Sequence, residues 1–510
     1  MAVTSLRRKL TFGAVLCLLL VPGHRPLEQA LPHAEAIRTP LEDVQGLRTR
    51  TVSVVTDHSQ VGYRYPMLGG GHPLTVQART LMARRQTDFL ERLPQKGTPE
   101  LHQDVTILAA SSEVLGARLT ATTSSGPNRD FAPSTLWYDA DSDQVLPWTS
   151  LFRDEEAIEQ AHLALARMLE EGYDIPAQRL PGLIGEVALR HPPLADDVPT
   201  PGPTPDTASE DGSDLADPEQ AREAARHWAG SPLEDLAFST DAGLAVPMNP
   251  SHVPQAGHVK EVLVPVEPED TEALLSELGR KARDAALSGN DTDDLPTSGG
   301  PDSPGHTLDC ARLKCVALTF DDGPGEYTDD LLDILAEYDA HATFYVLGSM
   351  VTEFPETVER MATEGHELGN HTWKHDDLAE MTGKQVEKDI TRTDEAVREV
   401  TGTDPTTIRP PYGSLNAKVR RSVDRPLVMW DVDTMDWQSR EAEDVSEHAL
   451  SQISPGSVVL LHDIHETSVQ AVPAVLAELH RQGYHFVTVT DVFGEPGLKP
   501  GEVYTDARPS

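Results

Sequence analysis

The sequence predicts an α/β protein in which a C-terminal domain built on a parallel sheet follows a smaller α+β domain. Three observations carry that reading. Apolar, β-rich runs at 315–320, 342–347, 428–432, 458–461 and 486–489 alternate with helical patterns, the rhythm of a parallel sheet in a barrel or an open doubly wound form. Two stretches, 192–219 and 288–307, are rich in Pro, Asp, Ser and Thr and cannot bury enough apolar area to offset ordering entropy. Finally, 510 residues exceed one ordinary domain.

Taken in chain order, Arg7, Arg8 and Lys9 precede an apolar run at 10–21 and the small-x-small triplet Ala34-Glu35-Ala36, the pattern of a removable export signal over 1–36. The run is shorter than the roughly 20 residues a membrane-spanning helix needs. An α+β module is expected over 45–285, with strands at 51–56, 105–110 and 117–122 and helices at 75–93 and 155–170. Its flexible insertion falls at 192–219, and a linker at 288–308 leads to the C-terminal domain, 309–497, with 498–510 left as a tail. In that last domain Leu331, Leu332, Leu335 and Tyr338 share one helical face. Thr382 followed by Gln385 is a capping box that opens a helix running towards Val400. Gly365 and Gly402 stand where helices should stop.

With 42 Lys and Arg against 83 Asp and Glu, the formal net charge is −41, a field that repels nucleic acid and anionic lipid. Of three cysteines, Cys17 lies in the apolar leader. The remaining pair, Cys310 and Cys315, reads as one disulfide in an exported chain.

Five polar clusters sit at the ends of the C-terminal runs, where a barrel gathers its functional residues. In Thr319-Phe320-Asp321-Asp322-Gly323-Pro324, adjacent carboxylates leave a strand at a turn that lets both reach one cavity. His371 and His375, at i and i+4, share one helical face, a spacing that chelates a divalent ion. With Asp322 they offer two nitrogens and one oxygen, leaving an open position as catalytic sites do. Arg409-Pro410-Pro411-Tyr412-Gly413 presents a fork-shaped cation from a rigid loop. Asp431-Val432-Asp433-Thr434-Met435-Asp436-Trp437 and Leu460-Leu461-His462-Asp463 end two further strands. Each motif alone has a plain reading as a turn or a satisfied core residue, but five in succession at strand ends do not.

These five segments, in this order, resemble the motifs of polysaccharide deacetylases with the NodB-homology domain, the family 4 carbohydrate esterases, over residues 309 to 497. The resemblance implies a distorted (β/α) barrel with fewer than eight regular repeats. It implies that Asp322, His371 and His375 bind a metal ion, usually zinc, with Asp321 as general base and His462 as general acid. Arg409 would hold Asp321, Asp436 would tune His462, and the Tyr412 backbone N–H would help bind the oxyanion. Trp437 and Leu460 would line the pocket for the acetyl methyl group. The one departure is Thr372, where many members carry serine.

The N-terminal part resembles an extracellular module found in lysozyme-sensing anti-sigma factors and in some peptidoglycan deacetylases. The residues that carry this are Tyr65-Pro66-Met67 before Gly69-Gly70, Trp137-Tyr138-Asp139, Leu146-Pro147-Trp148-Thr149-Ser150-Leu151-Phe152, and Phe238-Ser239-Thr240-Asp241-Ala242-Gly243-Leu244. A cell-wall hydrolase is the partner such a module implies. The expectation is therefore a secreted, metal-dependent N-deacetylase of cell-wall aminosugar polymers, most of all peptidoglycan. Chitin or chito-oligosaccharide deacetylase and acetylxylan esterase are the enzymatic alternatives, and a silent wall-binding or hydrolase-sensing protein is the alternative of another class.

Overall fold

Apolar residues at every second position of Cys315–Asp321 (β11) are what the C-terminal domain is built on. Val316, Leu318 and Phe320 pack outward against helices, while Ala317 and Thr319 face the interior. Parallel neighbours follow on both sides: Thr343–Val346 (β12) and Glu367–Asn370 (β13) on one, Val458–His462 (β16) and Val432–Asp433 (β15) on the other, with His485–Phe486 (β17) also beside β11. Beyond β13 the sheet continues through single bridges, Asn370 to Ile408 and Ile408 to Leu427, where Leu427–Val428 (β14) begins. One extended segment thus carries β14 at its start and β15 at its end, so the sheet curls back on itself. This is the mixed α/β, barrel-like architecture the sequence implies.

The computed structural model describes residues 31–44, 47–68, 71–94, 97–125, 128–180, 215, 217–250, 253, 261–289, 308–494 and 497–508. The apolar leader at 10–21, nearly all of the insertion at 192–219 and most of the linker at 288–308 lie outside them. Among the described residues no helix is long and apolar enough to cross a membrane.

The N-terminal part is α+β. Thr39–Pro40 (β1), Arg48–Val55 (β2), Gln60–Met67 (β3), Glu100–Ala110 (β4), Val114–Ser125 (β5), Asn128–Asp139 (β6) and Gln144–Leu146 (β7) form one sheet, antiparallel except for β3 beside β4. The helix Pro73–Glu91 (α1) covers it, burying Leu74, Ala78, Leu81 and Met82 against Val54, Val61, Leu101 and Val105. A second helix, Glu155–Tyr173 (α2), packs with the small antiparallel sheet of Ala237–Phe238 (β8), Leu244–Met248 (β9) and Val262–Val266 (β10).

Several expectations are corrected here. Ala34 is buried and its N–H bonds the Leu263 carbonyl, while Ala36 bridges to Ser239. A cut after Ala36 would remove these pairings, so the triplet belongs to the folded module. The run at 486–489 is strand only to Phe486; Thr488 accepts from the Asp491 N–H and caps the short helix Val489–Phe493. The stretch 498–510 is no detached tail: Val503–Tyr504 (β18) pairs with β14, and the Ala507 N–H bonds the Gly456 carbonyl. The capping box at Thr382 and Gln385 forms as expected and opens Gly383–Thr401 (α3), which Gly402 ends at φ 78°. Cys310 and Cys315 are joined in a disulfide.

The two parts meet at the N-terminal ends of the parallel strands. Asp339, between the helix Thr328–Glu337 (α4) and β12, accepts from Tyr63 at 2.8 Å and pairs with Arg50 at 2.8 Å and Arg79 at 3.1 Å. Thr87 donates to the Gly483 carbonyl, and the Asp309 N–H donates to Thr80.

Candidate active site

At the opposite end, where the parallel strands finish, five segments converge. Asp321 is the last residue of β11 and almost fully buried. Asp322 follows at φ 73°, a turn that swings its carboxylate to the same side. Gly323 is required next: a Cβ there would stand 2.3 Å from the Asp463 carboxylate, which is itself held by Thr328 at 2.5 Å.

Arg409 lies wholly buried inside the barrel over the Tyr345 ring. It donates to Asp321 Oδ1 at 2.7 Å and to Thr319 Oγ1 at 2.7 Å, and to the carbonyls of Val428 and Met429. All three guanidinium nitrogens are thus engaged, and one Asp321 oxygen is fixed while the other stands 3.7 Å from His371 Nε2.

His371 comes directly after β13. Its Nδ1 meets the Arg409 carbonyl at 2.7 Å, so that nitrogen carries the proton and Nε2 faces inward as a lone pair. Burial holds its pKa below the ordinary value despite the pull of Asp321 and Asp322, which keeps it neutral. His375 reaches the same spot, but not from a helix. Residues 372–374 form a turn, with Thr372 at φ 73° and His375 at φ 64°, so the expected shared helical face is replaced by a loop. A helix is incompatible with two left-handed residues in so short a segment.

The donor set fits a divalent cation. One donor atom each from Asp322, His371 and His375 falls within 4.8 Å of the others. Asp322 Oδ1 is buried, takes no hydrogen bond, and lies 3.5 Å and 3.3 Å from the two imidazole Nε2 atoms. Such an orphaned carboxylate oxygen between two imidazole nitrogens is costly without a positive charge between them.

Beside Asp321, on the neighbouring parallel strand, His462 ends β16. Its Nδ1 bonds Asp436 Oδ1 at 2.9 Å, and its backbone N–H donates to Asp436 Oδ2 at 2.7 Å. Ser468 donates to the same carboxylate at 2.6 Å. Burial alone would lower the His462 pKa, but the bond and charge of Asp436, with smaller pulls from Asp321 and Asp322, outweigh it and push the value up to about 9. Tyr412, at φ 60° and largely exposed, lays its ring edge near His375. Leu460 is buried and Trp437 half exposed.

Asp321, Asp322, His371, His375, Arg409, Asp436 and His462 are therefore gathered where the strands end, whereas Asp431 lies at the other end, its carboxylate bonded by Ser457 and the Val458 N–H. Sequence reasoning missed Thr319, Asn370 and Ser468, each of which holds one of them. Thr319 had a signal, since it lies two residues before Asp321 on the same strand face. Ser468 had none, because its contact depends on where the next helix starts.

A family model described as polysaccharide deacetylase matches residues 309–425. The peptidoglycan-N-acetylglucosamine deacetylase PgdA of Listeria monocytogenes is 42% identical over 198 residues, 39% of this chain and 42% of that protein. The peptidoglycan-N-acetylmuramic acid deacetylase PdaC of Bacillus subtilis is 41% identical over 180 residues, 35% of this chain and 38% of its own length. A peptidoglycan-N-acetylglucosamine deacetylase of Bacillus cereus is 38% identical over 186 residues, 35% of this chain but 68% of the relative. The chain belongs to the polysaccharide deacetylase family. It spans about two fifths of the length of the first two relatives.

Proposed function

We propose that this chain hydrolyses N-acetyl groups on cell-wall aminosugar polymers, peptidoglycan first among them, outside the cytoplasm. The observation that carries the reading is that Arg409-held Asp321 and Asp436-held His462 end adjacent parallel strands next to the Asp322, His371, His375 donor set. The peptidoglycan deacetylases among its relatives support the substrate class. The charged, apolar leader and the disulfide support export.

An amide carbonyl is a poor electrophile, and water a poor nucleophile. A divalent cation, proposed to be zinc on this N,N,O donor set, would supply Lewis acidity and lower the pKa of water from about 16 towards about 7. Asp321 accepts the proton of the attacking water, its carboxylate oriented by Arg409. The Tyr412 N–H is assigned to the developing oxyanion. His462 donates its proton to the sugar nitrogen, which cannot leave as an anion, and Asp436 keeps that imidazole charged until then. Leu460 and Trp437 are assigned to the methyl of the acetyl group. The N-terminal module is proposed to meet the wall or a wall hydrolase, a reading its resemblance supports.

Acetate release from purified peptidoglycan and from chitin oligomers, with and without chelator, tests this for the wild type and Asp321→Asn. Chelator-sensitive release from peptidoglycan, lost in the variant, is the expected result. Release from chitin oligomers alone would move the substrate, and release from neither would favour a binding or sensing role.

A further inference from the structure

The two histidines of the donor set lie on a loop whose backbone would not hold itself. Thr372 is β-branched and sits at φ 73°, and His375 follows at φ 64°; the left-handed region disfavours such residues unless bonds from outside impose it. The Asp389 carboxylate takes the Trp373 N–H at 2.8 Å, and the Thr372 and Trp373 carbonyls accept from Gly348 and Ser349; the bonds at the two left-handed residues themselves trace to Asn370. Asn370 Oδ1 accepts the Thr372 N–H at 2.8 Å, and Thr372 Oγ1 in turn accepts the His375 N–H at 3.0 Å. Asn370 is completely buried, and its Nδ2 donates to the Ile390 carbonyl at 3.0 Å and to Asp394 Oδ1 at 2.7 Å. A flipped amide would turn an oxygen towards both acceptors and an N–H towards Thr372. Its orientation is therefore dictated by Asp394, on α3. Asp394 is in turn clamped by Arg425, through Nη1 at 2.9 Å and Nη2 at 2.5 Å, while Nη1 also bonds the Pro405 carbonyl at 2.9 Å.

We propose that Asn370 and Asp394, with Arg425 behind them, are positioning residues that set the separation of His371 and His375 and so the cation affinity of the site. This rests on the reading of that donor set as a metal site. The spacing of the two imidazoles is not supplied by a helix, so something must supply it, and this chain of bonds reaches the loop at the residue between them. Asn370 also ties its own N–H to the Thr407 carbonyl and its carbonyl to the Arg409 N–H. The same residue thus registers the loop against the arginine that orients Asp321. A bidentate ionic clamp, with Asp394 buried and Arg425 partly so, gives the amide a fixed frame that a neutral partner would not.

The test uses the full chain with Asp394→Asn, Asn370→Asp, the double variant carrying both, and Arg425→Lys. Cobalt(II) alone is the probe, read by its visible absorption bands and by competition with a chelator, beside the melting temperature of the metal-free protein. Asn370→Asp keeps the acceptor for Thr372 but turns an oxygen against Asp394. Exchanging both side chains restores a donor facing an acceptor between positions 370 and 394, at the cost of an N–H turned to Arg425 Nη1 and an unserved Ile390 carbonyl. Each single variant is expected to bind cobalt about 10- to 100-fold more weakly, with altered bands, and the double variant to recover part of that loss. Unchanged affinity and bands, with only a lower melting temperature, would overturn the proposal and leave the cluster as a brace of the fold. If Asn370→Asp does not fold, Asp394→Asn and Arg425→Lys decide the matter. Acetate release by the wild type is scored separately. Its absence with cobalt bound normally would count against the proposed function and not against the positioning role.

Discussion

Replacing Asp436 by Asn should shift the alkaline limb of activity towards acid by about two pH units. In the proposed role of general acid, His462 must be protonated to serve the leaving nitrogen, so activity is expected to fall as pH rises through its pKa. In the structure that pKa is pushed up to about 9 from an ordinary 6.5, even though burial, the largest single influence, acts to lower it. Asp436 is the main counterweight, through a 2.9 Å bond and its charge. Without that charge burial prevails, and the imidazole should titrate near or below its ordinary value. A cation on Asp322, His371 and His375 would offset the smaller pulls of Asp321 and Asp322. It would leave that of Asp436 in place, so the difference between variant and wild type survives even where the absolute values move. The measurement is kcat/KM for acetate release across pH 5 to 10. Since one pH unit is about 1.4 kcal/mol, a two-unit shift is well resolved. An alkaline limb that stays in place in Asp436→Asn, with activity reduced uniformly, would refute the assignment of that limb to His462.

Three other outcomes are expected. Asp339→Asn should cost about 3–5 kcal/mol in denaturant unfolding, because Arg50 and Arg79 would lose the buried carboxylate they share; a loss below about 1 kcal/mol would show that the ion cluster adds nothing over a neutral partner. Burial depresses His366 to about 3, His480 to about 4 and His485 to about 3. Their contribution to stability is complete above pH 6.5 and is lost as pH falls towards those values, about 2 kcal/mol each by pH 5. His480→Phe should flatten the slope of stability against pH by that share, and an unchanged slope would remove His480 from the account. With 83 acidic against 42 basic side chains, self-repulsion should make the melting temperature rise from low salt to about 1 M sodium chloride, as the screening length falls to ~3 Å. A melting temperature independent of salt would mean the acidic surface is already neutralised locally.

What the sequence made legible follows the range of the interactions involved. Strands β11, β12 and β16 announce themselves because their apolar runs are buried on both faces. Strand β13 does not, since Glu-Leu-Gly-Asn has no β signature. Its Glu367 is buried only because Thr343, Thr406 and Thr490, distant in the chain, all donate to it. The capping box is read correctly because its partners are three residues apart. The loop of His371 and His375 is misread because i, i+4 spacing says helix unless one knows that Asn370 and Thr372 hold another backbone. Local rules fail where long-range bonds decide, and those places cluster around the site.

The placement of the N-terminal module constrains how it can act. Its contacts with the deacetylase domain, Tyr63, Arg50 and Arg79 on Asp339, Thr87 on Gly483 and Thr80 on Asp309, all fall where the parallel strands begin. Asp321, Asp322, His371, Asp436 and His462 lie where strands end. The described part of the module therefore supplies no group to the site and cannot close over it as a lid. We predict that the module acts on catalysis by holding the barrel at a surface. Removing the interaction at Asp339 should then leave hydrolysis of short soluble oligomers intact and reduce only the rate on insoluble wall. An equal loss on both substrates would show instead that the interface supports the fold of the barrel itself.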